Sequence, residues 1–283
     1  MAPLIALVTG ATAGIGEVTA RELIRAGMHV IIVGRNQART TATSERIRAA
    51  TGSAPDLLLA DLSSQQAIRQ LADDVLGHYP QIDILINNAG ALYNQRELSV
   101  DGIEMTWALN HMSYFLLTTW LMPALQAAPQ ARVINVASEA HRIVPGIRFD
   151  DPQFSRKYNG WQAYGQSKLA NILFTVELAR RTVGSGITAN ALHPGFVASN
   201  FGKNNRDFGG MLFGMLQRFV AISPDEGAKT SLFLATSPDV AGITGRYFDR
   251  SRLATPAATA SDMSAAARLW EVSEQLVAVV GSQ

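Results

Sequence analysis

The 283-residue chain contains no cysteine. Disulfides, thiol nucleophiles and thiolate metal sites are therefore excluded, although the redox compartment stays open. An excess of one charge is missing too. Its 24 basic residues are balanced by 23 acidic ones, and a net charge of +1 gives no electrostatic reason to expect nucleic acid or an anionic membrane as partner. Long hydrophobic runs are absent: the most apolar internal stretch, 114–125, is interrupted by Thr118, Thr119 and Pro123 and falls short of a bilayer span. Met1-Ala-Pro passes directly into Leu4-Ile-Ala-Leu-Val8 without a basic region. Neither a secretory signal nor a membrane anchor is expected, and a cytoplasmic location is the default. The histidines at 29, 78, 111, 141 and 193 show no metal-ligand spacing with a carboxylate, so no metal is expected. Lysine is scarce, with only Lys157, Lys168, Lys203 and Lys229.

What is present describes a protein with a sizeable core: 47% of residues are hydrophobic and 17% charged. Short β-branched runs at Ile5–Val8, His29–Val33, Leu57–Ala60, Ile84–Ile86, Val133–Val136 and Ile187–Leu192 alternate with longer helical patterns. The helices are expected near Gly16–Arg25, Gln37–Ala50, Gln65–His78, Thr106–Ala127 and Gln162–Val183, with a last amphipathic one over Ser264–Val280. Near-continuous apolar strands separated by helices indicate an α/β fold, a doubly wound parallel sheet with helices on both faces. No break in composition divides the alternation, so one domain spanning 1–283 is expected. Two stretches interrupt the pattern: the Gly-, Phe- and Met-rich segment 201–222, and an Ala/Thr/Ser-rich connector, 253–267.

Tyr164-Gly-Gln-Ser-Lys168 carries the most chemical information. Residues i and i+4 of a helix share a face, and an ammonium beside a phenol favours the phenolate. That draws a tyrosine pKa of about 10 towards neutrality, where it can trade protons with an alcohol or carbonyl. With six Tyr and four Lys in the chain, chance yields roughly 0.08 such pairs. A second motif, Thr9-Gly10-Ala-Thr12-Ala-Gly14-Ile15-Gly16, joins the first strand to the first helix. Glycines there allow a tight turn and close approach of a pyrophosphate to a helix amino terminus. The spacing is GxxxGxG and lacks the Lys-Ser/Thr ending of a nucleoside-triphosphate loop. At the end of the second strand, Val33-Gly34-Arg35-Asn36 offers a guanidinium where a carboxylate would select NAD. That substitution suits a 2′-phosphate, so NADP (NADPH) is the expected cofactor. Asp61, at the end of the third strand, could meet the adenine or cap the next helix.

The ordered set Thr9–Gly16, Asp61-Leu62, Asn87-Asn88-Ala89-Gly90, Asn110, Ser138, Tyr164/Lys168 and Pro194-Gly195 resembles the short-chain dehydrogenase/reductase family over nearly the whole chain. Asn110-His111, Ser138-Glu139-Ala-His141, Phe149-Asp-Asp151, Tyr164 to Asn171, His193-Pro-Gly195, Gly245 to Phe248 and Leu269-Trp-Glu271 are similar to its retinol dehydrogenase-like branch. The resemblance implies a Rossmann-type fold. It makes Tyr164 the general acid/base and gives Lys168 two tasks, lowering the phenol pKa and holding the nicotinamide ribose. Ser138 would bind the substrate oxygen, and Asn110 would hold a water of a proton relay. Asn88, Ala89, Gly90, Pro194, Gly195, Val197 and Ser199 would line the cofactor. Substrate contacts are expected from Ser138, His141, Phe196 and Phe201. Ser199 keeps the hydroxyl where many relatives have Thr, and Ala137 leaves Ser138 without a neighbouring hydroxyl. Glu139 is either a solvated surface acid or a selector of polar substrates. The insert around 142–161 is expected near the site entrance, and 201–222 is read as a lid or as a packed helix. The helices Thr106–Ala127 and Gln162–Val183 build dimers in the family, so a homo-oligomer is expected.

These features lead to an NADP(H)-dependent oxidoreductase that interconverts a hydrophobic alcohol with its aldehyde or ketone. The rival readings are a reductase of a bulky natural-product or steroid carbonyl, and a catalytically silent NADP(H)-sensing protein.

Overall fold

The structure, a computed structural model, describes residues 2–196 and 222–280. Seven strands run parallel: β1 (Ile5–Thr9), β2 (His29–Gly34), β3 (Asp56–Leu59), β4 (Ile84–Asn87), β5 (Arg132–Val136), β6 (Thr188–His193) and β7 (Arg246–Asp249). The short β8 (Arg252–Leu253) closes the edge antiparallel to β7. The order across the sheet is β3-β2-β1-β4-β5-β6-β7-β8, so the winding direction reverses between β1 and β4. In a doubly wound sheet that reversal opens a crevice at the carboxyl ends of the strands.

Side chains alternate faces along a strand, and this alternation splits the core in two. Leu7, Ile31, Val33 and Leu85 enter one apolar cluster, while Ala6, Val8, Val30, Ile32, Ile84 and Ile86 enter the other. The helices are α1 (Gly14–Arg25), α2 (Gln37–Thr51), α3 (Gln65–His78), α4 (Met105–Trp107), α5 (Ser113–Trp120), α6 (Met122–Ala127), α7 (Gly160–Arg181), α8 (Pro224–Thr236) and α9 (Met263–Val280). The first cluster is covered from α3, α5, α7 and α9, the second from α1, α2 and α8. Among the described residues no helix is long and apolar enough to cross a membrane.

One expectation needs correction. The helix expected over Thr106–Ala127 is divided: a π-turn at Ala108–Met112 separates α4 from α5, and Pro123 sits in the first turn of α6. The connector 253–267 is ordered, with Leu253 in β8, a 3-10 turn at Ala258–Ser261 and Asp262 accepting from the amides of Ser264 and Ala265 at 2.9 and 3.0 Å. Helix α9 packs on α5 and α7. Trp270 stacks on Phe174 at 5.8 Å between ring centroids and meets Phe115 edge-on at 4.9 Å.

Strands β7 and β8 and helix α8 are absent from the sequence reading. The β7–β8 turn uses Arg250 and Ser251, both left-handed (φ 49° and 59°), instead of the Gly or Asn that marks such hairpins. Helix α8 did carry a signal, since Ser223-Pro-Asp-Glu226 is a capping-box pattern with Pro in the first turn. Ser223 Oγ accepts from Glu226 N at 3.2 Å. Ser223→Ala should cost about 1 kcal/mol and lower Tm by about 2–4 °C. Ser223→Asp, which keeps a cap, should restore the midpoint of a thermal melt.

Candidate active site

Helices α2, α3, α7 and α8 have first-turn amides satisfied by Asn36, Ser64, Asn159 and Ser223. Helix α1 lacks such a cap: its N-cap is Ala13, which has no side-chain acceptor. Gly14, Ile15 and Gly16, its first residues, line a cleft of about 550 Å³ at the sheet's switch point. The acid of that turn, Glu17, is paired with Arg46 Nε at 2.8 Å. The amino end of α1 therefore offers unshared N–H donors and a positive dipole end, the chemistry that receives a phosphate.

The loop that leads there is tied down. Gly10 and Gly14 adopt φ of 64° and 59°. A Cβ on Gly16 would meet Gly10 O at 2.5 Å and Asn88 Nδ2 at 2.6 Å. Thr9 Oγ1 accepts from the amides of Asn88 and Ala89 at 2.9 and 3.1 Å and donates to Ile86 O at 3.3 Å. Asn88 Nδ2 returns bonds to Thr9 O and Gly10 O at 2.9 and 3.2 Å. This latch joins the loops after β1 and β4, which flank the crevice.

Exposed Arg35 stands at the rim of the same cleft, where Asp61 and Leu62 also line the wall. Gly34 also lines the cleft. It makes room for Thr40 and Thr12, which a Cβ there would strike. Asn36 turns away from the cleft to cap α2, its Oδ1 accepting from Arg39 N at 3.0 Å. Asp61 Oδ1 accepts from Ser63 N at 3.0 Å and from its hydroxyl at 2.7 Å, so the residue caps the next turn while it borders the cleft.

At the inner end lie Ser138, Tyr164 and Lys168, with Gly90, Pro194 and Gly195 opposite. Tyr164 and Ser138 hydrogen-bond through their side chains. Lys168 Nζ donates to Val136 O at 3.0 Å and lies 5.7 Å from the Tyr164 ring centroid. Burial lifts the Tyr164 phenol well above its usual value, with the Ser138 bond acting weakly against it. The same burial pushes the Lys168 ammonium down to about 7. Burial disfavours the charged form of each group. At neutral pH the phenol is a proton donor.

A match to the short chain dehydrogenase family model spans residues 4–209. The chain belongs to that family. Mouse retinol dehydrogenase 14 is 38% identical over 287 residues, covering 97% of this chain and 86% of the relative, and the chain falls in the retinol dehydrogenase-like branch. A crystal structure of a protein from Mycobacterium paratuberculosis shares the fold with a TM-score of 0.77 at 32% identity, covering 97% of this chain and 94% of the other. The Pseudomonas aeruginosa RhlG/NADP active-site complex matches with a TM-score of 0.70 at 29% identity, covering 92% and 97% of the two chains.

Several expected contacts of this short-chain dehydrogenase sit elsewhere. His141 is fully buried outside the cleft. Its Nδ1 lies 2.7 Å from Ser138 O and its Nε2 accepts from Ala257 N at 3.0 Å, so both ring nitrogens are engaged with the backbone behind Ser138. Asn110 lies behind Gly90 and does not line the cleft. Its Oδ1 accepts from Ala91 N at 2.8 Å, and its Nδ2 donates to Ala91 O and Ser167 Oγ at 2.9 and 3.0 Å. Glu139 borders the cleft and is paired with Arg142 Nε at 2.7 Å and Tyr247 Oη at 3.0 Å. Val197, Ser199, Phe201 and nearly all of the 201–222 segment lie outside the described residues. Beyond the sequence reading, Tyr93, Leu109, Trp161 and His193 also line the wall. Trp161 marks where the insert reaches the entrance.

The buried lysine predicts a pH signature in stability. Its pKa is about 7 folded and 10.5 unfolded, so between those values the unfolded chain binds more protons and stability rises with pH. The penalty is complete below about 7 and vanishes above 10.5. Lys168→Met lacks this term. The stability of wild type relative to Lys168→Met, followed by urea denaturation, should increase with pH through this window; a flat difference would contradict the assigned burial.

Proposed function

We propose that this short-chain dehydrogenase is an NADP(H)-dependent oxidoreductase that interconverts a hydrophobic alcohol and its aldehyde or ketone. The observation that carries the reading is a single cleft with complementary ends. One end presents the uncapped amides of α1 and the Arg35 guanidinium. The other presents the Ser138–Tyr164 hydrogen bond beside buried Lys168.

The residues fit the cofactor. Gly14, Ile15 and Gly16 would hold the pyrophosphate, Arg35 the 2′-phosphate, and Asp61 and Leu62 the adenine. Asn88, Ala89, Gly90, Pro194 and Gly195 would line the rest, with Lys168 at the nicotinamide ribose. Bound NADPH supplies a hydride to a carbonyl carbon, and NADP accepts one from a carbinol carbon.

The protein's own part is to orient the substrate oxygen and manage one proton. Ser138 and Tyr164 hydroxyls would both point at that oxygen. In reduction, Tyr164 donates its proton as the oxygen gains charge; in oxidation the phenolate takes the alcohol proton. Lys168 beside it stabilises the phenolate that donation leaves. Trp161, one helical turn before Tyr164, and Phe196, next to Gly195, add apolar wall to the cleft, which favours a hydrophobic substrate.

Tyr164→Phe removes one oxygen. Turnover should fall by about 10²–10⁴-fold with NADPH binding, read by fluorescence, nearly unchanged. Retention of more than roughly a tenth of the activity in the folded variant would remove Tyr164 from its role. Arg35→Ala should erase most of a preference for NADPH over NADH of roughly 10–100-fold in kcat/KM, chiefly by weakening NADPH. A wild-type preference for NADH would defeat the cofactor assignment.

A further inference from the structure

The π-turn at Ala108–Met112 widens the helix locally. It brings two consecutive polar residues inward, Asn110 and His111, each fully buried. Asn110 faces the cleft wall, whereas His111 faces α7 and α9. On α9, Ser273 Oγ lies 2.9 Å from His111 Nε2. On α7, the Asn171 amide is the polar group that meets the imidazole. Asn171 belongs to the face that carries the catalytic pair, since 164, 168 and 171 follow helical spacing. Its Nδ2 lies 3.4 Å from Val136 O, the carbonyl that accepts from Lys168 Nζ at 3.0 Å and from Tyr114 Oη at 3.4 Å.

At this contact two buried atoms, His111 Nδ1 and Asn171 Oδ1, complete no hydrogen bond as placed. Burial keeps the imidazole neutral, with its pKa down to about 3. A closer approach of the two side chains, together with one neutral tautomer, satisfies both atoms. With the proton on Nδ1, His111 donates to Asn171 Oδ1, and its Nε2 accepts the Ser273 hydroxyl once that group turns from Leu269 O, now 2.8 Å away. Donors then run in one direction, from Ser273 through His111 and Asn171 to Val136 O. A continuous buried chain of this kind restricts every member.

We propose that His111 and Asn171 are positioning residues for Lys168: they hold the Val136 carbonyl on which its ammonium is seated, and they tie that seat to α9. The proposal rests on the reading of Lys168 as part of the catalytic set. It adds to that set two residues that touch neither cofactor nor substrate.

The test follows Lys168 directly. In protein labelled with 13C-lysine there are four lysines, and loss of a signal in Lys168→Met identifies the one of interest. Asn171→Ala and His111→Leu should each move the Lys168 titration midpoint by about half a pH unit or more. Each should also lower kcat/KM roughly 3- to 10-fold. His111→Gln, which keeps an amide donor, should recover most of both losses. Asn171→Asp, nearly isosteric, serves if the truncations do not fold, and its carboxylate should raise the midpoint. In the Lys168→Met background, Asn171→Ala should cost nothing further, because its effect passes through the lysine. An unmoved Lys168 midpoint in folded variants would overturn the proposal, and so would losses that multiply in the double variant. Should Lys168→Met leave turnover intact, the functional reading fails, while the lysine resonance still decides whether His111 and Asn171 position it.

Discussion

Burial of Tyr164 and Lys168 against the carboxyl end of β5 is the constraint to which the surrounding structure is fitted. Neither charge is favoured in that environment, and each side chain needs a partner that does not itself require water. Val136 O supplies the acceptor for Lys168, at 3.0 Å. A polar ladder continues beneath it along the same face of α7. Thr175 Oγ1 donates to Asn171 O at 2.7 Å and accepts from Asn135 Nδ2 at 2.9 Å, and Asn135 Oδ1 accepts from Asn87 Nδ2 at 2.9 Å. Each buried donor or acceptor left alone would cost about 1–3 kcal/mol. The ladder therefore fixes the rotation of α7 over β4 and β5, and with it the direction in which the phenol and ammonium point. The opposite side of α7 is closed by Trp270 of α9.

The cofactor end of the cleft follows a different rule, that of donors left available. The α1 turn has no side-chain cap, yet the backbone around it is held rigidly by Thr9 and Asn88. Rigid N–H groups at a helix amino terminus bind an anion without first having to be ordered. The two ends differ electrostatically as well. Arg35 is exposed at the rim, while the lysine at the catalytic end is buried. An exposed guanidinium keeps its charge and can meet a phosphate; a buried ammonium close to neutrality responds to whatever charge forms beside it.

Much of this was legible without coordinates, for reasons that differ by element. Five of the six strands read from the sequence are central, where a parallel strand must be apolar on both faces; β3, at the sheet edge, was legible from its Leu run. The glycine loop was legible because Gly10 and Gly14 take backbone angles that other residues avoid. The Tyr164/Lys168 pair was legible because helical spacing is a local property. Missed elements lacked such signatures or had them overlooked: β7 and β8 are short and turn through Arg250 and Ser251, whereas the cap of α8 at Ser223 was there to be read. His141 illustrates the limit of proximity in sequence. Three residues from Ser138, it is turned into the backbone behind it.

The sequence by itself determined the alternation of strands and helices, the glycine turn, and the pairing of phenol with ammonium on one helical face. These depend on contacts within a few residues, where spacing alone sets geometry. Tertiary structure decided what spacing cannot. It placed Gly34 against Thr40, bound Glu139 to Arg142 and Tyr247, and covered α7 with α9. It also buried Tyr164 and Lys168, which disfavours the charge on each, because desolvation depends on what the rest of the chain packs around a group and not on the residues beside it.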